Sequence, residues 1–257
     1  MHLRQFEKEY TVHVYETGPD IRATLYTLFD YMQDIASEHA VLLGFGRDDL
    51  MKKNQFWVLS RMYAEITEWP SWEDKIIVKT WPNGTDKLFA MRNYELKFPD
   101  GRMIASGVSS WLVVDRSTKK IQRPDSQLTR FNDIDLIIPA SIRNPEKLQE
   151  AHEKGNTTAP FRVQVSDLDV NLHTNNVKYI KWVCDTYDLN FTMNHLPCSA
   201  EINYLAESMV NDEIVIRSSQ EDGNDSIINH SIMRINDNRE LCRIRLKWKE
   251  SGKLASL

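Results

Sequence analysis

Asp169, Asn171 and His173 place a carboxylate, an amide and an imidazole at every second position of one short segment. Alternate side chains of an extended backbone point to the same side, so the three groups are expected to converge. Thr174, Asn175 and Asn176 follow at once and carry N-cap chemistry. Beyond them Val177, Ile180, Cys184, Tyr187 and Phe191 recur at helical spacing, which predicts one long helix through these positions. The polar trio would then face the positive end of that helix, where free backbone N–H groups polarise a carbonyl or hold an anion. Proton transfer beside a polarised carbonyl is the chemistry such a set can support.

The elements that must position this cluster occur twice. In the first half, a strand over 10–15 precedes an amphipathic helix with apolar positions Leu25, Leu28, Phe29, Met32, Ile35, Ala36, Ala40 and Leu43. Strand-like runs follow near 56–67, 74–82, 88–98 and 102–115, with Pro99-Asp100-Gly101 as a hairpin turn. In the second half, a strand over 161–166 and the helix after Thr174 lead to runs near 199–208, 212–219, 226–235 and 240–249. Asp74 and Asp212 stand 138 positions apart, and Trp111 and Trp248 137. Few letters are shared, so the repeat is one of pattern. The intervening stretch is polar, holds Pro and Gly, and reads as a linker with a short helix around 145–153. The expected organisation is α+β: a first domain over 1–140, a linker over 141–160, and a second domain over 161–257 that carries the polar cluster.

Bulk properties exclude several classes. A net charge of -5 gives no global attraction to nucleic acid or to an anionic membrane. No apolar window is long enough to cross a bilayer. The first nine residues lack the apolar core of a signal peptide. Cys184, Cys198 and Cys242 are scattered and odd in number, which fits reduced thiols and a cytoplasmic protein better than disulfides or a zinc site. No cofactor or metal requirement is expected.

Several segments taken together resemble the acyl-acyl-carrier-protein thioesterases over nearly the whole chain. In the first half these are Phe56-Trp57-Val58-Leu59-Ser60-Arg61-Met62, Trp69-Pro70-Ser71-Trp72-Glu73-Asp74 and Ser109-Ser110-Trp111-Leu112-Val113. In the second half they are Asp169-x-Asn171-x-His173-x-Asn175-Asn176-x-Lys178-Tyr179-Ile180 and Asn203-Tyr204-Leu205-Ala206-Glu207-Ser208. The resemblance implies a tandem (double) hotdog, each half a central helix wrapped by an antiparallel sheet. It also implies hydrolysis of fatty acyl-acyl-carrier protein, with the acyl chain bound in the first half and cleavage in the second. Asp169, Asn171, His173 and Glu207 fall on the family's catalytic positions. Many plant members have a cysteine directly after the glutamate; this chain has Ser208, which favours direct attack by water over a cysteine nucleophile. The chain also lacks the N-terminal segments of plant members, as expected of a bacterial-type enzyme.

In this reading Asn171 orients the water or the thioester oxygen, helix-start N–H groups hold the oxyanion, and Asp169 orients Asn171 and His173. Either Glu207 or His173 takes the proton. The first-half counterpart, Gly18-Pro19-Asp20-Ile21-Arg22-Ala23-Thr24, lacks both Asn and His. Arg243, Arg245, Lys247 and Lys249 form a basic row that would suit an acidic acyl carrier protein, although a solvated sheet face explains it as well. A homodimer is compatible with the chain but not required, because duplication already supplies two halves. The competing functions are an acyl-CoA thioesterase, a hotdog dehydratase, and a non-catalytic acyl-thioester binding protein.

Overall fold

The computed structural model describes residues 4–124, 141–151 and 155–251. The chain divides into two compact units, Met1–Pro145 and Glu146–Leu257.

The first unit contains β1 (Phe6–Thr11), α1 (Leu25–Leu42), α2 (Arg47–Lys52), β2 (Gln55–Ile66), β3 (Lys75–Asp86), β4 (Phe89–Lys97), β5 (Met103–Asp115) and β6 (Ile121–Gln122). Its strands are antiparallel in the order β1-β3-β4-β5-β2, with β6 on β5. Thr24 caps α1 by accepting from the N–H of Thr27 at 3.2 Å. Leu25, Leu28, Phe29, Met32, Ile35 and Ala36 then bury one stripe of the helix, as their spacing predicts. Gly107 of β5 lets α1 lie close, since a Cβ there would meet Met32 Sδ at 3.1 Å.

The second unit contains β7 (Asn156–Thr157), β8 (Phe161–Arg162), α3 (Asn176–Cys184), α4 (Leu189–Asn194), β9 (His195–Tyr204), β10 (Glu213–Glu221), β11 (Asn224–Arg234) and β12 (Arg239–Glu250). Its antiparallel order is β9-β12-β11-β10-β7, with β8 on β10. Along β12, Cys242, Ile244, Leu246 and Trp248 are buried and alternate with the basic row.

Four expectations need correction. The single helix after Thr174 is two helices. Asp188 starts α4 by accepting from the N–H of Phe191 at 2.7 Å, while Thr186 Oγ1 donates to the Val183 carbonyl at 2.8 Å. The break lets Tyr187 and Phe191 stack at 4.8 Å and both pack edge-on against Trp248. The opening strand lies at Phe6–Thr11 rather than 10–15, because Val14–Glu16 forms a 3-10 turn. The strand over 161–166 shrinks to Phe161–Arg162 for the same reason, with a 3-10 turn at Val165–Asp167.

The linker, too, departs from the short helix its sequence predicts. Residues 145–151 are not helical; 152–154 lie outside the described residues. Amides of this strap bind side chains of the sheet instead: Glu146 N–H to Glu201 Oε1 at 2.6 Å, Leu148 N–H to Asn203 Oδ1 at 2.9 Å, and Ala151 N–H to Ser231 Oγ at 2.9 Å. Arg243 Nη1 donates to the Leu148 carbonyl at 2.8 Å. Leu148 and Ala151 are buried, so this stretch packs as part of the second unit.

Candidate active site

The segment carrying Asp169, Asn171 and His173 is a closed loop rather than an extended strand. Leu168 and Thr174 bridge its ends, Asp169 N–H donates to the His173 carbonyl at 2.8 Å, and Leu172 N–H donates to the Asp169 carbonyl at 3.0 Å. Leu172 takes a left-handed backbone, φ 64°. Inside the turn the Asp169 carboxylate accepts from the N–H of Asn171 (2.7 Å), the N–H of His173 (3.3 Å) and Asn171 Nδ2 (3.4 Å). Asp169 therefore holds the backbone on which the other two stand, and touches Asn171 directly. A short carboxylate competing for nearby N–H groups turns the chain where alternation alone would extend it.

Asn175 begins α3 by accepting from the N–H of Val177 at 3.0 Å. Most of the helix-start donors are already committed. Thr174 N–H goes to the Ser208 carbonyl, Asn175 N–H to Asp167, and Lys178 N–H to Asn175. The expected row of free oxyanion donors is thus reduced, and Asn171 stands exposed beside it with its Nδ2 3.4 Å from Asp169 Oδ2.

Glu207 lies in the loop between β9 and β10. Its Oε2 stands 3.5 Å from His173 Nε2, with the two side chains 50% and 29% exposed. Arg234 Nη1 donates to the Glu207 carbonyl at 3.3 Å and to Asp212 Oδ2 at 3.1 Å, while Asp237 takes Nε and Nη2 at 2.9 and 2.8 Å. Asp212 also accepts from the N–H of Met209 at 2.9 Å. These two carboxylates raise the Arg234 guanidinium above its ordinary value, so it remains a fixed cation beneath the loop. Arg234 went unnoticed in the sequence; its one signal was the Asp74/Asp212 repeat.

The structure thus brings Asp169, Asn171, His173 and Glu207 into one neighbourhood. Ser208 is not placed as a nucleophile: it is fully buried, and its hydroxyl bonds to Thr174 and Tyr179. Burial pushes the Cys184 thiol up to about 12 and the Cys242 thiol well above its usual value, so neither offers a thiolate near neutral pH. The basic row is largely neutralised. Arg243 is held by Glu240 and Arg245 Nη2 meets Glu221 Oε1 at 2.8 Å, which leaves Lys247 and Lys249 as the exposed members of the row.

The first unit builds the same loop without the same groups. Thr17 and Ala23 bridge its ends, Gly18 N–H donates to the Arg22 carbonyl at 2.8 Å, and Ile21 has φ 60°. A constant offset sets Gly18, Asp20 and Arg22 where the second unit has Asp169, Asn171 and His173. Trp69 occupies the place of Glu207, since Ala23 N–H donates to the Pro70 carbonyl as Thr174 N–H does to that of Ser208. An arginine beside Asp20 at 3.5 Å and an indole make no general base.

This architecture is of the hotdog type. An acyl-ACP thioesterase of Bacteroides thetaiotaomicron superposes with a TM-score of 0.86 at 24% identity, covering 96% of this chain and 98% of that one. The 12:0-ACP thioesterase of Umbellularia californica gives a TM-score of 0.85 at 20% identity, covering 96% and 94%. Sequence narrows the class. The acyl-ACP thioesterase N-terminal domain model matches residues 4–130 and the C-terminal domain model residues 150–250, and the chain belongs to this family. Among curated relatives, a chloroplastic palmitoyl-acyl carrier protein thioesterase of Gossypium hirsutum is 25% identical over 95% of this chain, and oleoyl-acyl carrier protein thioesterase 2 of Arabidopsis thaliana 26% over 96%. The chain spans 63% of the former and 77% of the latter.

Proposed function

We propose that the protein hydrolyses fatty acyl-acyl-carrier protein to free fatty acid and holo-carrier. The carrying observation is the contact of Glu207 with His173 beside the Asn171 loop, in the unit matched by the family's C-terminal domain. Glu207 and His173 form the acid–base pair: between them they take a proton from water as its oxygen attacks the thioester carbonyl. Asn171 Nδ2 donates to the developing oxyanion, for which one donor is typically worth about 10²–10³ in rate. Collapse of the tetrahedral species breaks the C–S bond, and the proton goes to the departing pantetheine thiolate. No acyl-enzyme forms, in keeping with the buried Ser208 and the raised thiols of Cys184 and Cys242.

The first unit, with its cognate loop chemically silent, takes the acyl chain against the core of α1. The carrier is the macromolecular partner, and Lys247 and Lys249 are the exposed part of the basic row that would meet it. The reaction belongs in the cytoplasm, where free cysteines persist; no helix among the described residues is long and apolar enough to cross a membrane. The test is a thiol-release assay with one acyl chain on carrier protein and on CoA, and Glu207→Ala as control. Faster turnover on carrier that is lost in Glu207→Ala supports the reading. Preference for CoA, dehydration of a 3-hydroxyacyl thioester without thiol release, or full activity in Glu207→Ala would overturn it.

A further inference from the structure

Directly after each member of the acid–base pair comes a residue that is tied to its counterpart. Thr174, following His173, donates its N–H to the carbonyl of Ser208, following Glu207, at 3.0 Å. Their hydroxyls meet at 2.7 Å, and the Tyr179 hydroxyl of α3 lies 2.8 Å from the same Ser208 Oγ. All three residues are buried, Ser208 completely. His173 and Glu207, by contrast, are partly exposed and meet only at their tips. Their separation is therefore governed by the two backbones beneath them, and those backbones are clipped together by this hydroxyl cluster.

The chain contains its own control for what the cluster does. In the first unit the equivalents of Thr174, Ser208 and Tyr179 are Ala23, Pro70 and Leu28. Without one hydroxyl among them, the backbone bond between the loops is kept, Ala23 N–H to the Pro70 carbonyl at 2.8 Å, and so is the left-handed residue before it. The loop therefore folds without the clip. What the first unit lacks together with the clip is the acid–base pair, replaced by Arg22 and Trp69. The hydroxyl cluster follows the chemistry and not the fold.

We infer that Ser208, with Thr174 and Tyr179, is a positioning residue that fixes the Glu207 carboxylate against His173. This rests on the proposed acid–base reading of that pair. Ser208 Oγ serves two hydroxyl partners at once, so its side chain has one orientation that satisfies both, and the Glu207 backbone beside it is held accordingly. Thr174 applies the same restraint from the His173 side.

The test uses the full chain and thiol release from an acyl-carrier thioester. Ser208→Ala and Thr174→Val are expected to lower kcat roughly 10- to 100-fold, the scale of a 1 Å misplacement, with KM changed by less than about threefold; Thr174→Ser, which keeps the hydroxyl, restores most of the rate. Because the clip acts through Glu207, adding Ser208→Ala to Glu207→Gln should remove little of the residual rate. Thermal melts confirm folding; if Ser208→Ala does not fold, Tyr179→Phe deletes one bond and serves in both arms. A Ser208→Ala enzyme with wild-type kcat, or one whose defect multiplies in full with that of Glu207→Gln, overturns the inference. A fully active Glu207→Gln would instead remove the acid–base reading itself.

Discussion

His230 lies in the middle of β11, 1% exposed, with Nε2 at 2.9 Å from the Tyr187 hydroxyl and Nδ1 at 2.8 Å from Ser218 Oγ. No carboxylate partners it in these bonds, and burial lowers its pKa from 6.5 to about 3. The linkage follows directly. Above pH 6.5 the ring is neutral in both folded and unfolded chains and stability does not depend on it. Below that value the unfolded chain gains a proton that the folded one refuses, so stability falls until the pH approaches about 3. At pH 5 the difference is about 1.5 pK units, or about 2 kcal/mol. For a chain of this size that corresponds to a fall in Tm of about 4–8 °C between pH 7.5 and pH 5 from this one residue. Melting wild type and His230→Gln across that range isolates the effect. The variant starts lower, having changed the bonds to Tyr187 and Ser218, but its Tm should decline less steeply with acid. Parallel declines would refute the assignment of a buried, neutral His230.

Other perturbations give separate readouts. Glu207→Gln and His173→Gln should each lower kcat by roughly 10²–10⁴ in thiol-release assays, with little change in melting temperature. Asn203→Leu strands the Leu148 N–H and the Glu146 carbonyl, which its amide now serves at 2.9 Å each; a loss of about 2–4 kcal/mol is expected in urea unfolding. Arg243→Glu should destabilise by about 2 kcal/mol because it faces Glu240 and loses the Leu148 carbonyl. Lys247→Glu should leave the urea midpoint unchanged and raise KM for the carrier substrate if the row docks carrier; an unchanged KM removes that surface from consideration.

What the sequence made legible was periodic or compact. The stripe of α1, the alternation of β12 and the duplicated order of elements follow from spacing alone, and the structure keeps them. Two short motifs point to Asp169, Asn171, His173 and Glu207; in the structure Asp169 bonds Asn171, and Glu207 lies 3.5 Å from His173. The closed loop that holds them differs from the extended segment that alternation predicts. Side-chain to main-chain bonds within five residues set the loop, and hydrophobic periodicity carries no record of them. The break before α4 was readable in principle, since Asp188 is a good N-cap, but Tyr187 and Phe191 continue the apolar pattern across it. The strap was not readable locally, because Leu148 and Ala151 bond to partners 55 and 80 positions away. The pull of Asn203 and Ser231 on a polar, Pro-containing stretch becomes visible only once β9 and β11 are in place.

The paired loops also bear on how such a protein can change over time. Two identical subunits would have to share one gene, so an alteration suited to gripping a chain would appear in the cutting half as well. Here Gly18, Asp20, Arg22 and Trp69 are encoded apart from Asp169, Asn171, His173 and Glu207. On the proposed division of labour, selection can therefore reshape one copy for new cargo while the other keeps its reactive geometry untouched.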